Sequence, residues 1–144
     1  MESSAVGRHQ VAREAPDLLF VRLDGPIHPD EARALVRADR MIWREHGYSL
    51  ILIDAQQAGA FDAAARQASF DEIKRYAGYR GTTAVFGLSP YLRILLNLIC
   101  NALRLLGDQD DEVQCFKDEQ DARAFLEARR GVRRQQALSH PPIA

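Results

Sequence analysis

Three aspartates occupy positions in this chain that are typical of an acid–base site. Asp24 and Asp54 each follow an aliphatic run, and Asp62 opens a helix-like segment. In a parallel α/β fold these positions meet at the carboxyl-end edge of the sheet, where a carboxyl group with a raised pKa can act as a general acid. No His, Cys, Ser or Lys stands directly beside them to complete a nucleophile–base pair. We therefore expect no catalytic residue and no enzyme activity.

The histidines and cysteines show no spacing typical of a metal site. His28 and His46 stand at opposite ends of the first predicted helix, so they cannot cooperate. Cys100 and Cys115 lie in an apolar helix and an apolar strand, and neither has a His or Cys at ligand spacing. Buried, reduced thiols are the expected state, in preference to a disulfide or a metal pair. We expect no metal site and no cofactor.

Length and charge indicate one ordinary globular domain. The chain has 144 residues, of which 47% are hydrophobic and 27% are charged, and its net charge is -1. This charge gives no reason to expect nucleic acid as a partner. The first ten residues lack the apolar run of a secretory signal, so a cytoplasmic protein is expected. The longest apolar stretch, Leu92–Leu106, is interrupted by polar residues, whereas a transmembrane helix needs about 20 apolar residues. We therefore expect no transmembrane segment.

Strand-like runs alternate with helix-like segments along the chain. Three runs have the aliphatic and β-branched content of buried strands, namely Leu18–Leu23, Leu50–Ile53 and Thr82–Phe86. The run Val113–Phe116 alternates and is typical of an edge strand. A fifth strand is expected around Arg8–Glu14, joined to the first buried run by a hairpin turn.

Four helices are predicted in the gaps, each beginning at a capping residue or proline and most ending at a glycine. Their expected bounds are Pro29–Gly47, Asp62 onward with a restart at Ser69, Ser89–Gly107, and Asp118–Gly131. The order β-β-α-β-α-β-α-β-α predicts a single α/β domain with a mostly parallel sheet of four to five strands, an antiparallel edge strand and four covering helices. The domain is expected over residues 8–130, with a flexible N-terminus at 1–7 and a disordered tail at 131–144.

The segment Leu50–Ala64, LILIDAQQAGAFDAA, resembles the central segment of STAS domains. These are the sulphate-transporter and anti-sigma-factor-antagonist modules, which place an aliphatic strand before an Asp or Asn, then a short loop, then Asp-Ser at the start of a helix. The order of elements is similar as well, and so is Gly25, which ends the strand before the first helix. Within the family the chain is most similar to the SpoIIAA-like branch, whose fold overlaps the CRAL-TRIO lipid-binding lobe.

One position departs from the family pattern. In phosphorylation-controlled antagonists the residue after the loop Asp is the Ser that a partner kinase modifies, whereas here Asp62 is followed by Ala63. Alanine has no hydroxyl group, so that switch cannot operate. The resemblance implies a non-catalytic regulatory module that binds a protein partner. The expected partner-binding loop comprises Asp54, Gln56, Gln57, Gly59, Phe61, Asp62 and Ala63.

The third predicted helix offers more apolar surface than one sheet face can cover. Arg93, Asn97, Asn101 and Arg104 form one narrow polar stripe, and apolar residues surround most of the remaining circumference. Neighbouring helices and the chain termini, a second copy in a homodimer, or a small apolar ligand would each cover the excess. The alternative function is therefore a carrier or sensor of a small apolar ligand or lipid, held between the sheet and helix 89–106. The residues expected at this ligand or dimer surface are Trp43, Tyr91, Leu95, Leu98, Ile99 and Leu103.

Overall fold

Six strands form a single mixed sheet in the computed structural model, which describes residues 2–139. The strands lie in chain order, and their bounds are β1 Glu2–Val6, β2 His9–Ala15, β3 Leu18–Gly25, β4 Ser49–Ala58, β5 Arg80–Phe86 and β6 Asp110–Phe116. β1, β2 and β3 pair antiparallel, whereas β3, β4, β5 and β6 pair parallel. β6 is an edge strand, as its alternating sequence predicted.

Four helices connect or follow the parallel strands in this part of the chain. Their bounds are α1 Pro29–His46, α2 Ala63–Ile73, α3 Pro90–Arg104 and α4 Glu119–Ser139. Asp62 and Ser89 cap α2 and α3, because each side chain accepts a hydrogen bond from a backbone N–H three residues further on. Gly47 ends α1 with a φ of 82°, in the left-handed region that favours glycine. α2 runs through Ser69 without the predicted restart.

Three helices cover one face of the sheet, and the fourth covers the other. The crossovers from β3 to β6 all step in the same direction, so right-handed connections place α1, α2 and α3 on the same face. Ile51 and Val85 point to that face and form a core with Ile42 of α1. Leu52 points the other way and packs with Leu126 of α4. The alternation of side chains along each strand thus supplies two cores.

The predicted α/β class, the mostly parallel sheet and the four helices are confirmed, but the N-terminus differs. Residues 1–7 are predicted to be flexible, whereas Glu2–Val6 forms β1; Met1 lies outside the described residues. β1 pairs with β2 across a turn at Gly7, whose φ is 58°. Val6 packs against the core, while residues 3–5 are exposed. This strand therefore carries little apolar signal of its own, and its pairing with β2 defines it.

The C-terminal helix also differs from the prediction. α4 continues past Gly131 to Ser139, so residues 131–139 of the predicted disordered tail are helical, and residues 140–144 lie outside the described residues. Arg133 is 1% exposed, and its guanidinium donates to Thr82 Oγ1 at 2.9 Å and to the Gly81 carbonyl at 2.7 Å. These bonds hold the second half of α4 against β5. Because the bonded residues are about 50 positions apart in sequence, local periodicity could not predict the contact.

Replacing Arg133 with methionine tests whether it anchors α4. We expect Arg133→Met to lower the free energy of unfolding by about 2–3 kcal/mol, because it removes buried, charge-assisted hydrogen bonds and leaves the Gly81 carbonyl without this donor. Arg134→Met is the matched control, since the neighbouring side chain is 65% exposed, and its cost should be under about 1 kcal/mol. Urea unfolding followed by circular dichroism measures both. Equal, small losses would show that the end of α4 is not anchored by this side chain.

Candidate functional site

β4 is longer than the sequence predicts, and this reshapes the predicted binding loop. The strand runs to Ala58 because β3 and β4 pair again beyond a bulge, with Asp24 opposite Gln57 and Gly25 opposite Ala58. Gln56 and Gln57 are therefore strand residues with exposed side chains. The loop predicted over residues 56–62 is reduced to residues 59–62.

Backbone contacts hold this short loop against the loop between β3 and α1. The Gly59 N–H donates to the Gly25 carbonyl at 2.8 Å, and the Ile27 N–H donates to the Ala60 carbonyl at 3.0 Å. A Cβ atom added to Gly59 would lie 2.6 Å from the Gly25 carbonyl carbon and 2.7 Å from Pro26 N. Glycine is required here because two backbones approach closely.

The three aspartates proposed for acid–base chemistry each have a separate structural partner. Asp54 is buried, and its carboxylate accepts hydrogen bonds from Gln56 N at 3.0 Å and from Arg22 Nε at 3.3 Å. Asp24 is paired with an exposed arginine, and Asp62 caps α2. Among the described residues, no group of three or more His, Cys, Asp or Glu side chains is placed to hold a metal ion. Each carboxylate is thus bonded to its own partner at this sheet edge.

The exposed part of this edge forms a patch with one carboxylate, that of Asp62, which we call the loop surface. It consists of Gln56, Gln57, Ala60, Asp62 and Ala63, all of which are exposed. Ala63 is the first residue of α2, directly after the capping aspartate. Of the other predicted loop residues, Asp54 accepts a hydrogen bond from the Gln56 backbone, and Gly59 donates one to the Gly25 carbonyl. Both residues thus hold the backbone of the loop surface in place.

An apolar cavity of about 210 Å³ lies between the sheet and the helices α1, α2 and α3. Its walls include Ile51 and Val85 from the sheet, Leu35 from α1, and Leu96 from α3. Phe61 of the β4–α2 loop also lines it. Phe61 is therefore half-buried and faces the cavity, whereas the sequence predicted it as part of the partner-binding loop.

The residues predicted to form an apolar ligand or dimer surface are spread over four environments. Ile99 lines the cavity. Trp43 and Leu95 are buried without lining it, and Tyr91 and Leu98 are 64% and 60% exposed.

Leu103, the remaining member of that set, lies between α3 and the start of β6. The predicted surface is therefore not one continuous wall, because α3 turns its residues to the cavity, to β6 and to solvent in succession.

The excess apolar surface predicted for α3 is present. Leu95 is the one buried residue of the helix, while Ile94 and Leu98 are more than half exposed. Leu105, which follows the last turn, is 88% exposed. The predicted homodimer through this face stays a prediction.

Sequence reasoning missed a buried polar cluster at the amino ends of β4, β5 and β6. The Tyr79 hydroxyl donates to Asp39 Oδ2 at 2.6 Å and lies 2.7 Å from Ser49 Oγ. Arg40 donates to the same Asp39 oxygen at 2.8 Å and stacks over the Tyr79 ring at 3.6 Å. Asp111 lies 3.5 Å from the other side of the Arg40 guanidinium.

The spacing along α1 carries a signal for this cluster. Asp39 and Arg40 follow Ala32, Leu35 and Val36 at helical intervals, so they fall on the apolar stripe that faces the sheet. Charged residues at core positions are almost always paired. This pattern marks a buried ion pair, and it is readable from the sequence.

Burial changes the titration of two members of the cluster. Burial and the neighbouring Asp39 charge hold the pKa of Tyr79 well above its usual value. Burial raises the pKa of Asp111 to about 6, and the positive charge of Arg40 opposes this rise. Asp111 is thus an ionisable group whose charge changes close to neutral pH.

Residues 18–127 match the protein-family model described as SpoIIAA-like. The chain belongs to the SpoIIAA-like family. A solved structure similar to it is that of the anti-sigma factor antagonist SpoIIAA in its unphosphorylated form, with 14% sequence identity and a TM-score of 0.48. That likeness covers 84% of this chain and 97% of that chain. A search of curated proteins finds no match.

The predicted membership of the STAS family is therefore confirmed, and the match has clear bounds. It begins at Leu18, the first residue of β3, and ends within α4. The β1–β2 hairpin and the Arg133 anchor of this SpoIIAA-like chain lie outside it. Within the described residues, no helix combines the length and the apolar character needed to cross a membrane.

The raised pKa of Asp111 predicts an unusual contribution to stability. The folded state holds this proton more tightly than the unfolded state, so the contribution is favourable at low pH and is lost as pH rises through about 6. Asp111→Asn should therefore gain on the order of 2 kcal/mol relative to wild type between about pH 4 and pH 7. Urea unfolding at several pH values measures this difference.

A second variant separates this effect from the general pH dependence of the chain. Asp108→Asn changes an exposed carboxylate in the preceding turn and is the control for replacing an aspartate by an asparagine. If the free energies of unfolding of Asp111→Asn and wild type differ by the same amount at every pH, the difference reflects only the altered contact with Arg40. That outcome would contradict the raised pKa of Asp111.

Proposed function

We propose that this SpoIIAA-like chain is a non-catalytic regulatory module that binds a protein partner through the loop surface. The main support for this proposal is the backbone of loop 59–62, which the Gly59–Gly25 and Ile27–Ala60 hydrogen bonds hold in place. A binding surface that is already ordered loses little conformational entropy on association. The three carboxylates at this edge are bonded within the chain, which favours a binding role over acid–base chemistry.

The chemistry at Ala63 supports binding without phosphorylation control at that position. Ala63 is exposed at the start of α2, where the resembled antagonists carry the modified Ser. A methyl group there cannot receive a phosphate, and Asp62 already uses its carboxylate to cap the helix. The proposed interaction is therefore constitutive, and any regulation of it acts elsewhere.

Two exposed substitutions test the loop surface without disturbing its supports. We expect Gln57→Arg/Ala63→Glu to abolish recovery of the partner from an extract of the native cells, because both side chains are exposed and a partner would meet new bulk and charge there. The readout is affinity capture followed by quantitative mass spectrometry.

The matched control makes the same two changes on the opposite face of the sheet. Gln120 and Ala128 are exposed on α4, so Gln120→Arg/Ala128→Glu should recover the same proteins as wild type. If the loop-surface variant and the control recover identical sets, the partner does not bind at this edge.

The cavity favours a second candidate function, binding of a small apolar ligand. Its volume of about 210 Å³ exceeds that of an engineered apolar cavity of about 150 Å³ that holds benzene. Three residues of α3, Leu92, Leu96 and Ile99, form one wall, and the helix has a single buried residue. A wall with so little burial of its own can move outward at low cost and admit a ligand.

Filling the cavity tests this second candidate. Toluene should raise the melting temperature of the wild-type protein by about 2–4 °C through preferential binding to the folded state. Ala58→Phe places a ring in the cavity that Ala58 lines and should remove the toluene effect. Ala60→Phe is the control, because Ala60 is exposed two residues further on. Differential scanning calorimetry of all three proteins decides the question, and no toluene effect on wild type would eliminate the candidate.

A further inference from the structure

Two charged residues lie in the wall of the otherwise apolar cavity. Asp39 and Arg40 of α1 are 0% and 3% exposed, and with Ser69 they are the polar residues among those that line it. Burying polar groups costs free energy unless hydrogen bonds replace those lost to water. An ion pair in this position is therefore a feature that the apolar core alone does not require.

The ion pair leaves hydrogen-bonding capacity unused. Asp39 Oδ2 accepts from both Arg40 and Tyr79, while Asp39 Oδ1 has no hydrogen-bond partner among the described residues. Arg40 Nε is also without one in that part of the chain, whereas Arg40 Nη2 lies 3.5 Å from Asp111 Oδ2. One unused acceptor and one unused donor thus occur on adjacent, bonded side chains. Buried polar groups are nearly always satisfied, so these atoms indicate a missing partner.

The charges around Arg40 restrict what that partner is. The guanidinium is flanked by Asp39 at 2.8 Å and by Asp111 at 3.5 Å, so its positive charge is already matched. An anionic head group would face two carboxylates, and a cationic head group would face the guanidinium. An uncharged group that both donates and accepts, such as a hydroxyl or a primary amide, complements Asp39 Oδ1 and the Arg40 Nε–H group together.

We propose that the cavity binds a small amphipathic molecule with a hydrocarbon body and an uncharged hydroxyl or amide head, the head bonding to Asp39 and Arg40. This inference rests on the second candidate function, binding of a ligand in the cavity. The hydrocarbon lies against the aliphatic side chains of β3, β4, β5 and α3. The unused polar atoms are closed to water, and a small outward shift of α3 gives the head access to them.

A series of probes with one hydrocarbon chain and three head groups tests the proposal on the wild-type protein. The probes are n-octanol, n-octanoate and n-octylamine at about pH 8, where the acid and the amine are charged. Isothermal titration calorimetry should give a dissociation constant for octanol about tenfold or more below those of the two charged probes. Tighter binding of octanoate or octylamine would overturn the proposal.

The other outcomes separate this inference from the function on which it rests. Equal binding of all three probes would show that the head is not recognised, which overturns the inference and leaves the apolar site in place. No binding of any probe, together with no effect of toluene, would remove the inference and the ligand-binding candidate alike.

A double variant examines the two side chains directly. Asp39→Leu/Arg40→Met removes the two charges of the cavity wall together and leaves Asp111 without Arg40, and it should abolish the preference for octanol. Ser69→Ala removes the remaining polar side chain of the cavity lining and should leave the preference intact. A preference that survives in a folded double variant contradicts the assignment, and the wild-type probe series stands whether or not this variant folds.

Discussion

Parallel hydrogen bonding between β4 and its two neighbours, β3 and β5, positions the loop surface and the buried polar cluster of this chain. β4 is paired along its length, and Leu50 and Leu52 are completely buried. Because parallel strands all end at the same edge, this pairing brings the β3–α1 and β4–α2 loops together and lets Gly59 contact Gly25. The same ladder places the amino ends of β4 and β5 together, where Ser49 meets Tyr79. The loop surface and the polar cluster thus lie at opposite ends of the same parallel strands.

The direction of the crossovers explains why the two faces of the sheet are packed so differently. Three successive right-handed crossovers put three helices on one face, and α4 covers the other. α1 packs closely on its face through Ile42 and Trp43, whereas α3 buries Leu95 alone. The cavity lies where these unequal helices meet the sheet. The walls of this space come from all three helices and the sheet, and α3 contributes a single buried residue to the packing.

The β4–α2 loop contributes to both the loop surface and the cavity. Phe61 belongs to the β4–α2 loop, and its ring lines the cavity. The backbone of that loop is held from outside by the β3–α1 loop, while its aromatic side chain is held from inside by aliphatic walls. The two candidate functions therefore draw on adjacent parts of the same structure.

Local patterns in the sequence determined the strands, the helix starts and the family. The buried runs in β3, β4 and β5, the caps at Asp62 and Ser89, and the glycine at the end of α1 are properties of short segments, and each is confirmed. These features succeed because strand and helix periodicity, capping and turn chemistry act within a few residues. The family resemblance succeeds for the same reason, since it rests on the order of such segments.

Tertiary structure decided what depends on residues distant in the chain. β1 is polar and becomes a strand because β2 pairs with it, and α4 continues past Gly131 because Arg133 finds Thr82 and the Gly81 carbonyl. The extension of β4 to Ala58 depends on a bulge in β4 itself, where Ala55 and Gln56 lie opposite the single residue Leu23 of β3. The helical periodicity of α1 already placed the charged residues Asp39 and Arg40 on its apolar stripe. Only the fold brought Tyr79, Ser49 and Asp111 to them. Long-range pairing and burial involve partners that no local window contains, so the sequence alone could not supply them.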